Sequence, residues 1–138
     1  MTDHASIPAR FLDVDECWDR IRSQQVGRLV TVVAGRPDIF PVNYILDDDH
    51  IVIRTAEGSK LAGAIASAEV LFEIDHTDDE RHAGWSVVVR GVAREPKSLE
   101  HVMHDQELDL RPWSNPAPKQ RFIEVHPLEV SGRAVGGA

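Results

Sequence analysis

The stretch "RLVTVVAGRPDIFPVNYILDDDHIVIRT", residues 28–55, contains three β-rich runs separated by two short polar connections. The runs are residues 28–33, 39–46 and 50–55, and they are rich in valine, isoleucine and aromatic residues. The connections "AGRPD" and "DDD" carry glycine, proline and aspartate, which favour turns. The stretch therefore predicts an antiparallel meander.

Further runs of strand character follow this meander. They are residues 68–77, 84–94, 122–127 and 128–135. The run 84–94 alternates strictly, so that its odd-numbered residues share one face and its even-numbered residues the other. The residues predicted to share the odd face are Trp85, Val87, Val89, Gly91 and Ala93.

Three segments place apolar residues at helical spacing, and they are residues 11–25, 59–67 and 96–106. In the first, Asp13 and Glu16 have the spacing of a capping box, and Gly27 is expected to end the helix. Residues 110–121 contain three prolines and are predicted to be a loop. Many strands and short helices favour a mainly β fold, a small β-barrel with flanking helices, over alternating βαβ units.

Length and composition indicate one domain, residues 1–138, and a cytoplasmic location. The single cysteine, Cys17, cannot form an internal disulfide, and the N-terminus has no apolar run typical of a secretory signal. No segment approaches the roughly 20 apolar residues of a membrane-spanning helix. The formal net charge of -8 disfavours a large nucleic-acid-binding surface. Any anion site must therefore be local.

The junction from Arg54 to Lys60 has the chemistry of such a site. Arginine, lysine and two hydroxyl residues, Thr55 and Ser59, stand where a strand meets a predicted helix, whose unpaired amides attract anions. The order of residues does not match a P-loop. A phosphate would suit this junction, and a capped surface helix with solvated charges would explain the same residues.

Two strand segments are ambiguous in the same way. Pro41 in "PVNY" marks an edge strand or a bulge, where Asn43 could meet a flat heterocycle or merely lie at a barrel corner. Ser86 needs a hydrogen-bond partner, which could be a ligand or a backbone carbonyl. Both segments are candidate binding elements, and both have a purely structural explanation.

The histidines do not indicate a metal site. His101 and His104 lie three residues apart on the predicted third helix, but no set of ligands with recognisable spacing completes them, so a solvated helix face is expected. The run "DDDH", residues 47–50, lacks the glycine and glutamate of a calcium loop and is expected to be a hairpin turn. We therefore predict no metal.

Five motifs in order, "VGRLV", "PVNY", "RTAEGSKL", "VLFEID" and "GWSVVVRGVA", resemble the flavin-binding split-barrel family typified by pyridoxamine 5'-phosphate oxidase, and more narrowly its short actinobacterial-type branch. The resemblance extends from about Phe11 to Arg133. It implies a six-stranded split β-barrel, a homodimer, and two FMN molecules bound in clefts between subunits. It also implies a small-molecule substrate.

The resemblance assigns roles to nine residues. It implies phosphate binding by Arg54, Thr55 and Lys60, with Ser59 as a helper. The positions that match the strand lining the flavin ring are Val42, Asn43 and Tyr44. Ser86 matches a strand position near the cofactor, and Trp113 resembles an aromatic residue that closes the cleft. No catalytic residue is identified.

The resemblance implies an FMN-binding oxidoreductase of unassigned substrate. The flavin itself carries hydride and electron chemistry, so the absence of a catalytic triad does not argue against an enzyme. An Arg-x-His substrate clamp near the C-terminus is missing, so oxidation of pyridoxamine 5'-phosphate itself is not expected. The alternatives are a deazaflavin-dependent reductase of the same fold and a non-catalytic flavin-binding or sensing module.

Overall fold

The computed structural model describes residues 8–56, 59–96, 104, 108 and 120–138, with the backbone alone at residues 55, 56, 59–62 and 120. These residues form seven strands and two helices, which confirms the mainly β prediction. The elements are β1 (Arg10–Phe11), α1 (Val14–Arg22), β2 (Val26–Val33), β3 (Arg36–Asp47), β4 (His50–Ala56), α2 (Ser59–Ala66), β5 (Val70–Asp78), β6 (Ala83–Arg94) and β7 (Gln120–Val135).

The strands form one antiparallel sheet that closes into a barrel. Strands β2, β3 and β4 are sequential neighbours, as the meander prediction required, and β5 pairs with β2 and β6. Strand β7 then pairs with β4 on one side and with β6 on the other. Strands β2 to β7 therefore make a six-stranded split β-barrel, and the two-residue β1 extends the sheet beside the end of β7.

Helix α1 begins with the predicted capping box. The Oδ1 atom of Asp13 accepts a hydrogen bond from the amide of Glu16 at 2.8 Å, and the Glu16 carboxylate accepts one from the amide of Asp13 at 3.3 Å. The helix ends at Arg22, with Ser23 as its C-cap. The prediction that Gly27 ends the helix was wrong. Gly27 lies within β2, where a Cβ would run into the ring of Phe72.

Helix α2 confirms the second predicted helix, and hydrogen bonds fix its end on the barrel. The hydroxyl of Ser67 donates to the carbonyl of Val32 at 3.2 Å and accepts from the Val32 amide at 3.3 Å. At its other end, α2 starts three residues after the end of β4. Of the third predicted helix, His104 is helical, and most of the remainder lies outside the described residues.

Strand β7 corrects the prediction of two separate strands at 122–127 and 128–135. It is one strand with a bulge, because Glu129 pairs with Arg90 whereas Pro127 pairs with Gly91. The extra residue is Leu128, which is 63% exposed. One added residue changes the alternation of faces, so the apolar pattern is interrupted although the strand continues.

The barrel interior holds the main core, which includes Leu29, Ile53, Phe72, Ile74 and Val89, each 0% exposed. Cys17 and Ile21 of α1 are buried in the same core, so Cys17 is a core residue as its spacing predicted. In the part of the chain that the structure describes, no helix is long and apolar enough to cross a membrane.

Candidate functional site

The outer surface of β3, β4 and β7 carries several of the predicted binding residues, and we call it the β3–β4–β7 face. Alternate residues of these strands point into the main core, and the others form a second, smaller cluster outside the barrel. That cluster consists of Val52 and Phe122, with Ile45 and Leu108 packed against them. By strand alternation, Asn43 and Arg54 belong to the same outer face.

Arg54 is the predicted phosphate ligand whose side chain the structure describes. It lies directly opposite Phe122 in the pairing of β4 with β7, and its guanidinium carbon is 6.0 Å from the centre of that ring. Phe122 is only 4% exposed, so the ring gives the guanidinium a rigid support. Arg54 therefore presents a planar cationic group near the end of β4, close to the start of α2.

The three predicted ring-lining residues do not share one face. The side chain of Tyr44 is 3% exposed and packs edge-on against Phe72 with ring centres 5.0 Å apart. Its hydroxyl donates to the carbonyl of Ile21, and burial raises the pKa of the phenol. Val42 also packs against the main core. Tyr44 can therefore line a ligand only through its backbone, whereas Val42 is partly buried and Asn43 lies on the outside.

Pro41 occupies the edge position that its chemistry favours. Strand β3 pairs with β2 from residue 36 to residue 43, and its pairing with β4 begins only at Tyr44. At Pro41 the side of β3 away from β2 therefore has no partner in the described sheet, and no ladder hydrogen bond is lost there. Because the pairing of β3 with β4 begins only at Tyr44, the β3 backbone immediately before Asn43 is accessible on the side away from β2.

Four predicted site residues fall wholly or partly outside the described structure. Trp113 lies outside the described residues. Thr55, Ser59 and Lys60 have described backbones at the end of β4 and the start of α2, but their side chains are outside the description. The backbone places all three at the strand-to-helix junction that the sequence indicated.

Ser86 lies at a different end of the barrel, in the wall of an open cavity of about 680 Å³. Its cross-strand neighbours are Asp75 on β5 and Arg133 on β7, and both also line the cavity. Trp85, next to Ser86, contributes to the wall and packs against the core. The cavity thus combines an apolar wall with a row of one acidic, one hydroxyl and one basic side chain.

An ion-pair cluster of Arg28, Glu73 and Asp75 lies beside this row. Arg28 on β2 approaches Glu73 and Asp75 on β5, with its Nη1 atom 3.5 Å from a carboxylate oxygen of each. Burial and the adjacent Asp75 carboxylate raise the pKa of Glu73 to about 7, against the opposing effect of Arg28. Glu73 can therefore exchange a proton near neutral pH.

The predicted binding residues form two groups that one chain does not bring together. Arg54 lies opposite Phe122, and Ser86 lies opposite Arg133, so the two groups are 11 residues apart along β7. At about 3.3 Å per residue this separation is on the order of 35 Å along the strand. A single small ligand on one chain cannot contact both groups.

The β3–β4–β7 face also carries a group of histidines and carboxylates that sequence reasoning did not bring together. His50 and His126 are stacked with ring centres 4.8 Å apart, and Glu124 lies beside both. Among the residues that the structure describes, no three histidine, cysteine or acidic side chains form a group that could hold a metal ion. The contacts within the group are hydrogen bonds and ion pairs.

Sequence reasoning missed Asp75 and Arg133 beside Ser86, and Glu124 beside the histidines. Asp75, Ser86 and Arg133 lie on three different strands, and His50 and Glu124 on two, so the strand register places the residues of each set side by side. The spacing of His126 two residues after Glu124 was the available signal, because such residues share a strand face.

Comparison with known proteins identifies the family. The family model described as pyridoxamine 5'-phosphate oxidase matches residues 13–134. The chain belongs to this family. The uncharacterized protein Rv0080 of Mycobacterium tuberculosis is 36% identical to this chain over 126 residues, which are 88% of this chain and 82% of that protein.

Two similar solved structures are of FAD-binding proteins. The FAD-binding protein of Mycobacterium smegmatis is 39% identical, with a TM-score of 0.76 over 90% of this chain and 98% of that one. An FAD-binding protein from Mesorhizobium loti is 26% identical, with a TM-score of 0.77 over 93% and 97% of the two chains. The resemblance inferred from the five motifs is thus confirmed at the level of the family.

Proposed function

We propose that this chain is a flavin-binding protein of the pyridoxamine 5'-phosphate oxidase family whose cofactor phosphate is held by Arg54. The observation that carries the proposal is the position of Arg54, which lies on Phe122 at the end of β4, next to the start of α2. The FAD-binding proteins of M. smegmatis and M. loti support the choice of a flavin.

The residues present fit a flavin phosphate. The Arg54 guanidinium offers a planar fork to phosphate oxygens, and the first amides of α2 lack partners within the helix. Thr55, Ser59 and Lys60 would add hydroxyl and ammonium donors from the same junction. In a chain of net charge -8 this local concentration of donors gives an anion a defined position.

FMN is the flavin that we propose, with FAD and a deazaflavin cofactor as alternatives. FMN and FAD share the phosphate that follows the ribityl chain, so Arg54 would have the same role with either. Asn43 on the β3–β4–β7 face would hydrogen-bond the ring, and Val42 and Tyr44 would contribute backbone groups. When bound, the flavin supplies hydride and electron transfer.

A homodimer would complete the site. Because Arg54 and Ser86 are on the order of 35 Å apart along β7, one chain offers the phosphate site and a second copy could offer the Ser86 cavity. Two-fold pairing would then generate two equal sites per dimer. Ser86 and Trp113 would act at the ring end of the cofactor.

With a flavin bound between subunits, the protein would be an oxidoreductase acting on a small molecule. The acidic, hydroxyl and basic row of Asp75, Ser86 and Arg133 would orient the substrate at the open face of the ring. Glu73, whose pKa is raised to about 7, could exchange protons near this row.

Purified protein titrated with FMN, FAD and a deazaflavin cofactor in parallel tests this function. Flavin fluorescence should be quenched on binding, and FMN or FAD should bind more tightly than riboflavin, which has no phosphate. Reduction of the bound flavin by a small-molecule donor would support an oxidoreductase, and bound flavin that no donor reduces would support a sensing module. Absence of binding by all three cofactors would contradict the proposal.

A further inference from the structure

A second open cavity lies beside the Ser86 cavity, and the flavin proposal does not use it. Its volume is about 410 Å³, and we call it the Arg20 cavity. The end of α1, the end of β5 with its connection to β6, and residues 136–138 form its walls. Trp85 lines both cavities, so the two are adjacent.

Arg20 gives this cavity a cation that the described part of the chain does not neutralise. Its guanidinium carbon lies 5.7 Å from the centre of the Trp85 ring. The side chain is partly buried, and its Nε atom is buried with no hydrogen-bond partner among the described residues. A shielded cation without an acceptor is unfavourable, so the accessible Nη groups of Arg20 favour an anion in the cavity.

Two carboxylates also line the Arg20 cavity, and each already has a partner. Asp19 forms an ion pair with Arg22 at 3.1 Å, and Asp78 accepts a hydrogen bond from the amide of Arg81 at 3.2 Å. Both carboxylates repel an incoming anion, and they repel a dianion more strongly than a monoanion. The charges around the cavity therefore favour a ligand with a single negative charge.

The remaining wall suits a flat apolar group. Trp85 and His76 both line the cavity, with ring centres 6.5 Å apart. Gly136 and Gly137 have φ angles of 68° and 82°, so the chain turns here without a side chain that would fill the space. An aromatic ring can therefore lie against Trp85 while its charged group meets Arg20.

We propose that the Arg20 cavity binds a small aromatic monocarboxylate, with the carboxylate on the guanidinium of Arg20 and the ring against Trp85. The planar guanidinium matches the two oxygens of a carboxylate, which a lysine ammonium does not. The ring of Trp85 supports the guanidinium and also provides the apolar contact. This site is separate from the flavin phosphate site and does not depend on it.

The test follows the indole N–H signal of Trp85 by NMR while benzoate or benzamide is added to the purified protein at pH 7. Benzamide has nearly the same shape as benzoate and carries no charge. Benzoate should bind at least about tenfold more tightly than benzamide, as expected for a charge-assisted contact. A Trp85→Phe variant identifies the signal among the three tryptophans of the chain.

Variants of the arginine test its role directly. Arg20→Gln should bind the two compounds with equal affinity, and Arg20→Lys should regain part of the preference, because lysine keeps the charge without the planar fork. The control Arg36→Ala removes an exposed arginine from the start of β3 and should keep the wild-type preference. Circular dichroism confirms that each variant is folded.

Several results would overturn the inference. These are a wild type that does not bind benzoate, equal affinities of the wild type for benzoate and benzamide, and tighter binding of inorganic phosphate than of benzoate. A preference that survives in Arg20→Gln and is lost in Arg133→Ala would place benzoate in the Ser86 cavity instead. None of these results would change the expectation for flavin binding at Arg54.

Discussion

At the scale of single residues, Glu73 is the acidic side chain, among those that the structure describes, whose surroundings most strongly favour its neutral form. It is 28% exposed, lies beside Asp75, and has Arg28 as a partial counter-charge at 3.5 Å. Its pKa is raised to about 7 in the folded protein. The folded state therefore retains the Glu73 proton up to about pH 7, whereas the unfolded chain loses it at lower pH. Protonated Glu73 thus stabilises the folded state at low pH, and this contribution to the free energy of unfolding is lost as pH rises toward 7.

We predict that Glu73→Gln stabilises the protein at pH 8 by about 1 kcal/mol and changes little at pH 5, because glutamine resembles the protonated acid. Urea unfolding at both pH values measures this difference. Glu69→Gln is the control, since Glu69 is 49% exposed in a surface ion pair with Arg90. Equal stability changes in the two variants at pH 8 would contradict the account of Glu73.

At the scale of elements, two glycines differ in whether the fold leaves space for a side chain at their positions. Gly27 in β2 has no space for a side chain, since a Cβ there would meet the ring of Phe72. Gly63 lies inside α2, where a Cβ would stand at an ordinary 3.4 Å from the side chain of Val33. Close strand packing thus requires the first glycine, whereas the helix does not require the second.

Gly27→Ala should therefore destabilise the protein by about 1–3 kcal/mol through overpacking. Gly63→Ala should stabilise it by about 0.5–1 kcal/mol, because alanine has the higher helix propensity. Urea unfolding of both variants beside wild type measures the two effects. A neutral Gly27→Ala would show that the ring of Phe72 moves aside at little cost.

The sequence predicted elements well where a local signal defines them. The capping box at Asp13, the turn at Asp48 and Asp49, and the alternation of β6 all depend on neighbouring residues. The prediction failed at Gly27 and Leu128, where the deciding contacts come from distant strands. Neither the need for glycine beside Phe72 nor the bulge opposite Arg90 can be recognised from the neighbouring residues in the sequence.

At the scale of the whole molecule, barrel closure determines which candidate residues can act together. The motifs correctly indicated the family and the strand-to-helix junction at Arg54. They could not show that β7 joins β4 to β6, and therefore that Arg54 and Ser86 lie at separate places along it. Side-chain neighbours such as Asp75 and Arg133 follow from register, which the sequence does not encode locally.

Mixing of subunits tests whether two chains share each flavin site, which the separation of Arg54 and Ser86 along β7 supports. Arg54→Ala and Ser86→Trp homodimers should each bind flavin poorly, but their mixture should regain about a quarter of the wild-type sites, because each mixed dimer contains one intact site. Stoichiometric flavin titration after mixing, with circular dichroism to confirm folding, measures this recovery. No recovery in mixtures shown to exchange subunits would contradict a flavin site shared between two chains.

The central claim, that Arg54 holds the cofactor phosphate, is tested most directly by comparing FMN and riboflavin binding in wild type and Arg54→Ala. The two ligands differ only in the phosphate, so their comparison isolates the contact with Arg54. We predict that the substitution weakens FMN binding at least about tenfold, as expected for a charge-assisted contact, and leaves riboflavin binding nearly unchanged. Equal losses for both ligands, or no loss for FMN, would contradict the account.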